Sequence, residues 1–563
     1  MSTQSHTVGT AVVDALLAEG VETIFGLPGS HVLPIYDALR DVPAIRHITV
    51  KHENNAALMA DMYGRLTRRP GVCLVTAGPG ATNSISGVAQ AFTAASPVVH
   101  LSGTVPVDAD REAFHGVEKP DFLYRMFTDI TKWSVRVERF SDLPAVLAEA
   151  FHLATSGRPG PVHVEVPLRW DEPETVEVRP YQRRPPARFQ PDQAALDRVA
   201  STLRAARAPV IAAGPGVFAT GASRELVDLA ERLSAPVVYP MYEAGVIPDD
   251  HPLSAGYFYS WTANPFVYDL LRDADVVLSV GFLRETESVH ILRRHLTGRH
   301  LFIAFDDTGK RVADAAVDTT ADTRLAVCGL IERLRGRTVA SGDQLVARLA
   351  EYRRVAAETK LQTLEEYESL RPMHFGLAVR ELANHLDPDA IVVGDVSNGA
   401  SWLQHLLTVR AGMRLILPGR WGEMGFALPG AIAAKLVHPD RQVVGVTGDG
   451  CLLMALSDLG TAVTEQANIV LVVLADHQYG MIHNMQTSAY RGPYATFLGT
   501  PDLVKLAESV GLAGFRVDDP ADLADAFAQA CAAGRPALVE VMAHHEVPSP
   551  SLARLYARFQ EAK

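Results

Sequence analysis

The segment RQVVGVTGDGCLLMALSDLGTAVTEQANIVLVVLAD, residues 441–476, decides how the chain folds. An apolar run ends in Gly448-Asp449-Gly450, a stretch of helical pattern follows, and a second apolar run ends at Asp476. Two β-rich runs joined by a helix-length segment are the grammar of parallel strands with a crossover helix. Ligands of open parallel sheets gather outside the carboxyl ends of the strands, so the residues directly after each run are the ones to read for chemistry.

Working outward, the same alternation recurs along the whole chain. IVVGDV (391–396) and PALVEVMA (536–543) complete a C-terminal group of strands. APVIAAG (208–214), APVVYPM (235–241), DVVLSVG (275–281) and HLFIAFD (300–306) form a central group. HITV (47–50), GVCLVTAG (71–78), SPVVHLSG (96–103) and GPVHVEVP (160–167) form an N-terminal group. The expectation is an α/β protein of three consecutive doubly wound parallel-sheet domains, at residues 1–168, 190–337 and 370–550. The Pro- and Arg-rich passage 169–189 and the charged helical stretch within 338–369 are read as linkers.

Composition narrows the function classes. At 563 residues the chain exceeds one ordinary core, and 48% hydrophobic with 21% charged residues excludes wholesale disorder. A formal net charge of −13 without a sustained basic run argues against nucleic acid as a partner. Cys73, Cys328, Cys451 and Cys531 offer neither a CxxC pair nor a disulfide framework, which suits a reducing, cytoplasmic setting. No signal-peptide pattern opens the sequence and no run reaches the roughly 18 apolar residues of a membrane span, so no membrane partner is expected.

The opening segment carries a specific chemistry. Asp449 and Asp476, at the ends of neighbouring strands, can converge on one hard cation, and Mg²⁺ prefers few carboxylates supplemented by phosphate oxygens and water. Gly450 and Cys451 start the following helix, where backbone amides face an anion. Gly and Asp are also common turn residues, so the turn taken alone decides nothing.

With its later acidic residue, the GDG turn resembles the thiamine diphosphate motif of acetolactate synthases and their relatives, the pyruvate oxidase and benzoylformate decarboxylase group. That resemblance implies a pyrimidine-binding, a central and a diphosphate-binding domain, and puts metal ligation on Asp449, Asp476 and the main chain of Gln478. The family usually has Asn where Asp476 stands. Trp421-Gly422-Glu423-Met424-Gly425-Phe426 resembles the family's G-x-M-G-[FY] segment, whose Met supports the bent cofactor; a core Met is the alternative reading of Met424. Ser397 and Asn398 occupy the place where relatives contact the diphosphate, although Gly399 replaces a common His. The resemblance further implies cofactor contacts at Gly448, Tyr479, Gly480 and Met481.

In the N-terminal segment, Lys51-His52-Glu53 resembles the family's HE motif. There the glutamate bonds the cofactor's pyrimidine ring and promotes loss of the thiazolium C2 proton; a helix-start Glu placed for the dipole is the alternative. Gly26-Leu27-Pro28-Gly29 and the loop Gly78-Pro79-Gly80-Ala81-Thr82-Asn83 match two further family motifs. Ser30 stands where benzoylformate decarboxylase-like enzymes have a catalytic Ser, and His115 follows Phe114 where acetolactate synthases have a Phe-Gln pair. An imidazole there can relay protons near neutral pH. Met485 replaces a Trp that shapes the second-substrate pocket.

The implied activity is a transferase or lyase reaction dependent on thiamine diphosphate and Mg²⁺. A 2-oxo acid is decarboxylated and its acyl anion equivalent is transferred to a second carbonyl. A non-ligating 2-oxo acid decarboxylase, a 2-hydroxyacyl-CoA lyase-type enzyme and a catalytically silent regulatory homologue stay open. FAD also stays open: Gly214-Pro215-Gly216 is a weak nucleotide signal, and around Arg284 most of the R-F-D-D-R segment of FAD-dependent relatives is absent. The resemblance implies a homodimer or homotetramer with active sites at the subunit interface.

Overall fold

A computed structural model describes residues 4–105, 114–117, 119, 121–168, 175–259, 264–336, 343–544 and 547–561. Residue 337 and the linker stretches 169–174 and 338–342 lie outside the described residues. The chain forms two compact units: residues 1–187 with 418–439 and 455–467, and residues 188–417 with 440–454 and 468–563.

The first unit holds a six-stranded sheet in the order Arg46–Thr49, Thr23–Gly26, Gly71–Val75, Val98–Gly103, Pro161–Val166, Trp133–Arg136. Every pairing in it is parallel. One face packs on the helices Val8–Ala18 and Leu143–Thr155 through Val12, Leu16, Leu74, Val164 and Leu147. On the other, the helix Glu53–Thr67 is buried almost continuously from Glu53 to Gly64, because Ile85–Thr93 and Ala427–Val437 also pack against it. Its run of small residues is what a helix covered on all sides requires. Gly64 lies so close to the next element that a Cβ there would sit 2.6 Å from Pro97 O.

The second unit holds two sheets. The central one runs Ser254–Phe258, Val237–Pro240, Pro209–Ala213, Val276–Phe282, Arg299–Ala304, Val317–Thr320, a doubly wound order with parallel pairings throughout. The C-terminal one runs Met373-His374, Ala537–His544, Val470–Ala475, Val443–Gly448, Ile391–Gly394, Arg414–Ile416, with Ala513–Val517 also paired to Ala537–His544. Helices cover both kinds of sheet, so all three architectures are α/β as expected.

Several elements differ from the sequence reading. Thr175–Val178, inside the passage read as a linker, pairs antiparallel with Gln4–Thr7. The charged stretch inside the second linker is helical as read, one continuous helix over Asp343–Glu365. The GPGATN segment is less a loop than a helix start: after Gly78, at φ +59°, Pro79–Asn83 is helical. The short strands Thr23–Gly26, Trp133–Arg136 and Arg414–Ile416 carry too few apolar residues to stand out by periodicity. No helix among the described residues is long and apolar enough to cross a membrane.

Candidate active site

In the first unit the sequence-predicted residues follow adjacent strands on both sides of the point where strand order reverses, with Glu53 after the edge strand Arg46–Thr49. His52 caps the helix that begins at Glu53, its Nδ1 accepting from Asn54 N at 3.1 Å. Glu53 is only 8% exposed, and Asn83 Nδ2 donates to its Oε2 at 3.0 Å. Gly80 has to be glycine-small: a Cβ would lie 2.8 Å from Thr76 Cγ2 and 3.4 Å from Glu53 Oε1. A Cβ on Gly29 would lie 2.5 Å from Thr76, and one on Gly26 would press on Leu74 O at 2.1 Å. Gly29, Gly80, Glu53 and Asn83 thus belong to one packed set around Thr76.

Asn83 is itself held from below. Ser84 Oγ donates to Ala81 O at 2.6 Å and lies 2.7 Å from His100 Nε2, which therefore donates to it. His163 lies behind, with Ser102 Oγ 3.0 Å from Nε2 and Ser134 Oγ 2.9 Å from Nδ1. Both imidazoles are fully buried; burial pushes His100 down to about 3 and holds His163 well below its ordinary value.

The GEMGF segment reaches the same helix through its glutamate. Asn54 Nδ2 donates to Glu423 Oε1 at 2.9 Å, and Trp421 Nε1 donates to Glu423 Oε2 at 3.1 Å. Ser86 Oγ donates to Oε2 as well. The positive φ of Gly422 (+70°) and Gly425 (+84°) bends the backbone on either side of Met424, which is half-buried and outside the hydrophobic core clusters. Ser30 opens a 3-10 turn with its Oγ 3.1 Å from His31 Nδ1, and Phe114, 69% exposed, stacks on His115 at 3.9 Å.

In the second unit, Ser397, Asn398, Gly448, Asp449, Gly450, Cys451 and Asp476 gather at the carboxyl ends of three adjacent strands. Asp449 is 1% exposed; its Oδ1 accepts from Gly450 N at 2.9 Å and its Oδ2 from His477 N at 2.8 Å. Asp476 Oδ1 accepts from Gln478 N at 3.1 Å. Burial, and then the charge of Asp449, push Asp476 up to about 7; burial raises Asp449 against the amides that hold it. Two carboxylates forced together this way call for a cation. No cluster of three or more His, Cys, Asp or Glu side chains suited to a metal occurs among the described residues. A cation bound here would draw its other ligands from main-chain or substrate-side oxygens.

Around this pair, Ser397 caps the helix Asn398–Leu406, and Asn398 Oδ1 is buried with no hydrogen-bond partner among the described residues. Cys451 Sγ donates to Val396 O at 3.0 Å. A Cβ on Gly450 would lie 3.0 Å from the Tyr479 ring, so glycine keeps the turn open. Gln478 bridges to Phe497, Tyr479 N donates to Thr496 O at 2.8 Å, and the helix Gly480–Ala489 then carries Met481 and Met485, both half-buried.

Residues 6–122 match the thiamine pyrophosphate enzyme N-terminal TPP binding domain, 196–327 the central domain, and 395–541 the C-terminal TPP binding domain. A probable acetolactate synthase large subunit of Methanocaldococcus jannaschii is 30% identical over 94% of this chain and 91% of its own length. The chain belongs to the acetolactate synthase-like thiamine pyrophosphate enzymes. The acetolactate synthase isozyme 3 large subunit of Escherichia coli K12 is 31% identical over 92% of the chain and 91% of its length. The large subunit of Parasynechococcus marenigrum is 32% identical over 96% and 88%.

In this thiamine pyrophosphate enzyme the central sheet treats its nucleotide-like signals as packing. A Cβ on Gly214 would lie 2.5 Å from Gly281 O, and one on Gly216 would lie 2.4 Å from Thr323 Oγ1. Arg284, 8% exposed, donates to Asp318 Oδ1 at 2.5 Å, Asp306 O at 2.6 Å and Thr320 Oγ1 at 3.0 Å. It lines a cavity of about 260 Å³ with Arg198, Lys310 and Arg311. Sequence reasoning missed His31, Asn54, Ser86, Thr76 and His100, which carry no motif of their own and gain meaning only from what the fold places beside them.

Proposed function

We propose that this protein is a carboligase that, with thiamine diphosphate and Mg²⁺, decarboxylates a 2-oxo acid and joins the remaining acyl unit to a second carbonyl. The reading rests above all on Glu53, a carboxylate withdrawn from water at a helix start and held by one amide, with its other oxygen facing the space that Gly80 leaves open. The residues fit the cofactor. Asp449 and Asp476 offer hard oxygens only, while Asn398 Oδ1 and Thr76 Oγ1 are buried polar atoms without partners among the described residues.

Bound thiamine diphosphate supplies a nucleophilic carbon and afterwards an electron sink. Asp449, Asp476 and the main chain of Gln478 hold Mg²⁺. Ser397, Asn398, Gly448, Gly450 and Cys451 hold the diphosphate, with Tyr479, Gly480 and Met481 alongside. Gly26, Pro28, Gly29, Gly78 and Asn83 shape the pyrimidine side, and Gly422 and Met424 support the rings. Glu53 holds a proton at the pyrimidine nitrogen, which activates the cofactor. Ser30 and His115 serve protons at the substrate oxygens, and Phe114 and Met485 bound the substrate pocket.

The reaction proceeds without flavin. Gly214 and Gly216 are explained by packing, and no step needs a redox group. We infer an assembly of at least two copies, each active site shared between chains, as the resemblance to acetolactate synthases implies. The test is CO₂ release from a panel of 2-oxo acids, beginning with pyruvate, by purified protein with thiamine diphosphate and Mg²⁺, with and without FAD. Acyloin or acetolactate products without FAD support the carboligase. Aldehydes alone would make it a decarboxylase, cleavage of a 2-hydroxyacyl thioester a lyase, and cofactor binding without turnover a silent homologue.

A further inference from the structure

His31 lies in the 3-10 turn Ser30–Val32, and His115 comes later in the chain than the strand Val98–Gly103. Their rings stand 5.2 Å apart at 35°, with Phe114 stacked over His115 at 3.9 Å and 6.3 Å from His31. His31 is 4% exposed, its Nδ1 engaged by Ser30 Oγ at 3.1 Å, and no other hydrogen bond of its ring occurs among the described residues. His115 Nδ1 is buried with no hydrogen-bond partner among the described residues.

A buried polar nitrogen without a partner is unfavourable, and His115 also adopts φ +67°, a conformation uncommon for residues other than glycine. Such costs concentrate where a ligand is to be met. The pair also adjoins the activating group's surroundings. A Cβ on Gly78 would lie 2.6 Å from His115 O, and the same turn continues to Gly80 against Glu53. Gly29, next to Ser30, packs on Thr76, which also touches Gly80. A closed ring of contacts therefore runs from Glu53 through Gly80 and Gly78 to His115, and from His31 and Ser30 through Gly29 and Thr76 back to Gly80.

We propose that His31 and His115 act as one coupled acid–base pair that moves the protons of the substrate's carbonyl oxygens. The proposal deepens the carboligase reading and rests on it. Burial, and for His31 the neighbouring His115, hold both rings below their ordinary value, so the pair does not carry two protons at once near neutral pH. The pair gives one proton to the acceptor's carbonyl oxygen as it becomes a hydroxyl. It takes one from the donor-derived hydroxyl as that oxygen returns to a carbonyl. The proton that first makes the donor's carbonyl oxygen a hydroxyl also passes through the pair and is drawn from solvent, so one proton is consumed for each carboxylate lost as CO₂ and the two rings end as they began. Substrates that suit such a site are 2-oxo acids joined to a neutral aldehyde or ketone acceptor, whose oxygen needs a proton rather than a cation.

The test uses the full chain with thiamine diphosphate and Mg²⁺, comparing His31→Asn, His31→Gln, His115→Asn and the His31→Asn/His115→Asn double variant with wild type. Thiazolium C2 proton exchange should stay within about twofold of wild type in all variants, and turnover of the 2-oxo acid should fall roughly 10²–10⁴-fold in each single variant. The double variant should fall no further than the worse single one, because the two rings act as a unit. Multiplicative losses in the double variant, or wild-type turnover in His31→Gln, would overturn the pair. Wild-type protein that binds the cofactor yet shows neither exchange nor turnover would instead overturn the carboligase reading beneath it.

Discussion

Leaving aside the two-residue strand Met373-His374, the N- and C-terminal sheets set six strands side by side in the same order: second, first, third, fourth, sixth, fifth along the chain. Both gather their chemistry at the point where that order reverses, yet the residues there differ in kind. The N-terminal sheet presents one carboxylate, Glu53, relieved by an amide donor. The C-terminal sheet presents two, Asp449 and Asp476, with burial and mutual charge driving Asp476 up to about 7. One crevice suits a neutral nitrogen base; the other suits a cation. Topology supplies the place for a ligand, and the number of carboxylates decides which end of the ligand it takes.

The comparison breaks most visibly at the cation end. Asp449→Ala should abolish Mg²⁺-dependent cofactor binding, measured by calorimetry, whereas substitutions at the N-terminal crevice should leave binding measurable. Asn83→Ala removes the amide that holds Glu53 and should slow turnover by about tenfold or more with the cofactor still bound, in line with the ~1.5–3 kcal/mol of a hydrogen bond to a charged group. Asp476→Asn removes one of the two opposed charges and keeps an oxygen ligand. Mg²⁺ and cofactor affinity should stay equal or rise a few-fold, and a large loss would show that both charges are needed.

The smallest effect lies beneath the N-terminal crevice. His100 and His163 stay neutral when folded, so the unfolded chain binds protons that the folded chain refuses once pH falls below about 6.5. Their contribution is whole above that value and is lost progressively toward pH 3, at up to about 1.4 kcal/mol per pH unit for each ring. Thermal melts of His100→Gln against wild type should show a shallower decline of stability between pH 6.5 and 5. Parallel declines would mean that His100 does not couple to folding.

Much of this was legible in the sequence. Long apolar runs such as QVVGVT and NIVLVVLA announced central strands, because strands buried on both faces need continuous hydrophobic residues. Asp449 and Asp476 stood out because each closely follows such a run, and Glu53 because Lys51-His52-Glu53 resembles a family motif after the short run HITV. Edge strands such as Trp133–Arg136 and Arg414–Ile416 escaped notice, since partial exposure admits polar residues and blurs the pattern. The antiparallel pairing of Thr175–Val178 with Gln4–Thr7 joins segments far apart in sequence, and no local period records that. His31 escaped for a related reason: a lone histidine in a turn reads as ordinary until the fold brings His115 against it.

The central claim is that Glu53, and not the metal side of the cofactor, switches on its chemistry. It is tested most directly by thiazolium C2 proton exchange, followed by NMR in deuterated buffer with thiamine diphosphate and Mg²⁺ bound, in wild type and Glu53→Gln. The account predicts rapid exchange in wild type and a fall of roughly 10²–10⁴-fold in Glu53→Gln with the cofactor still bound. Exchange at the wild-type rate in Glu53→Gln would contradict it.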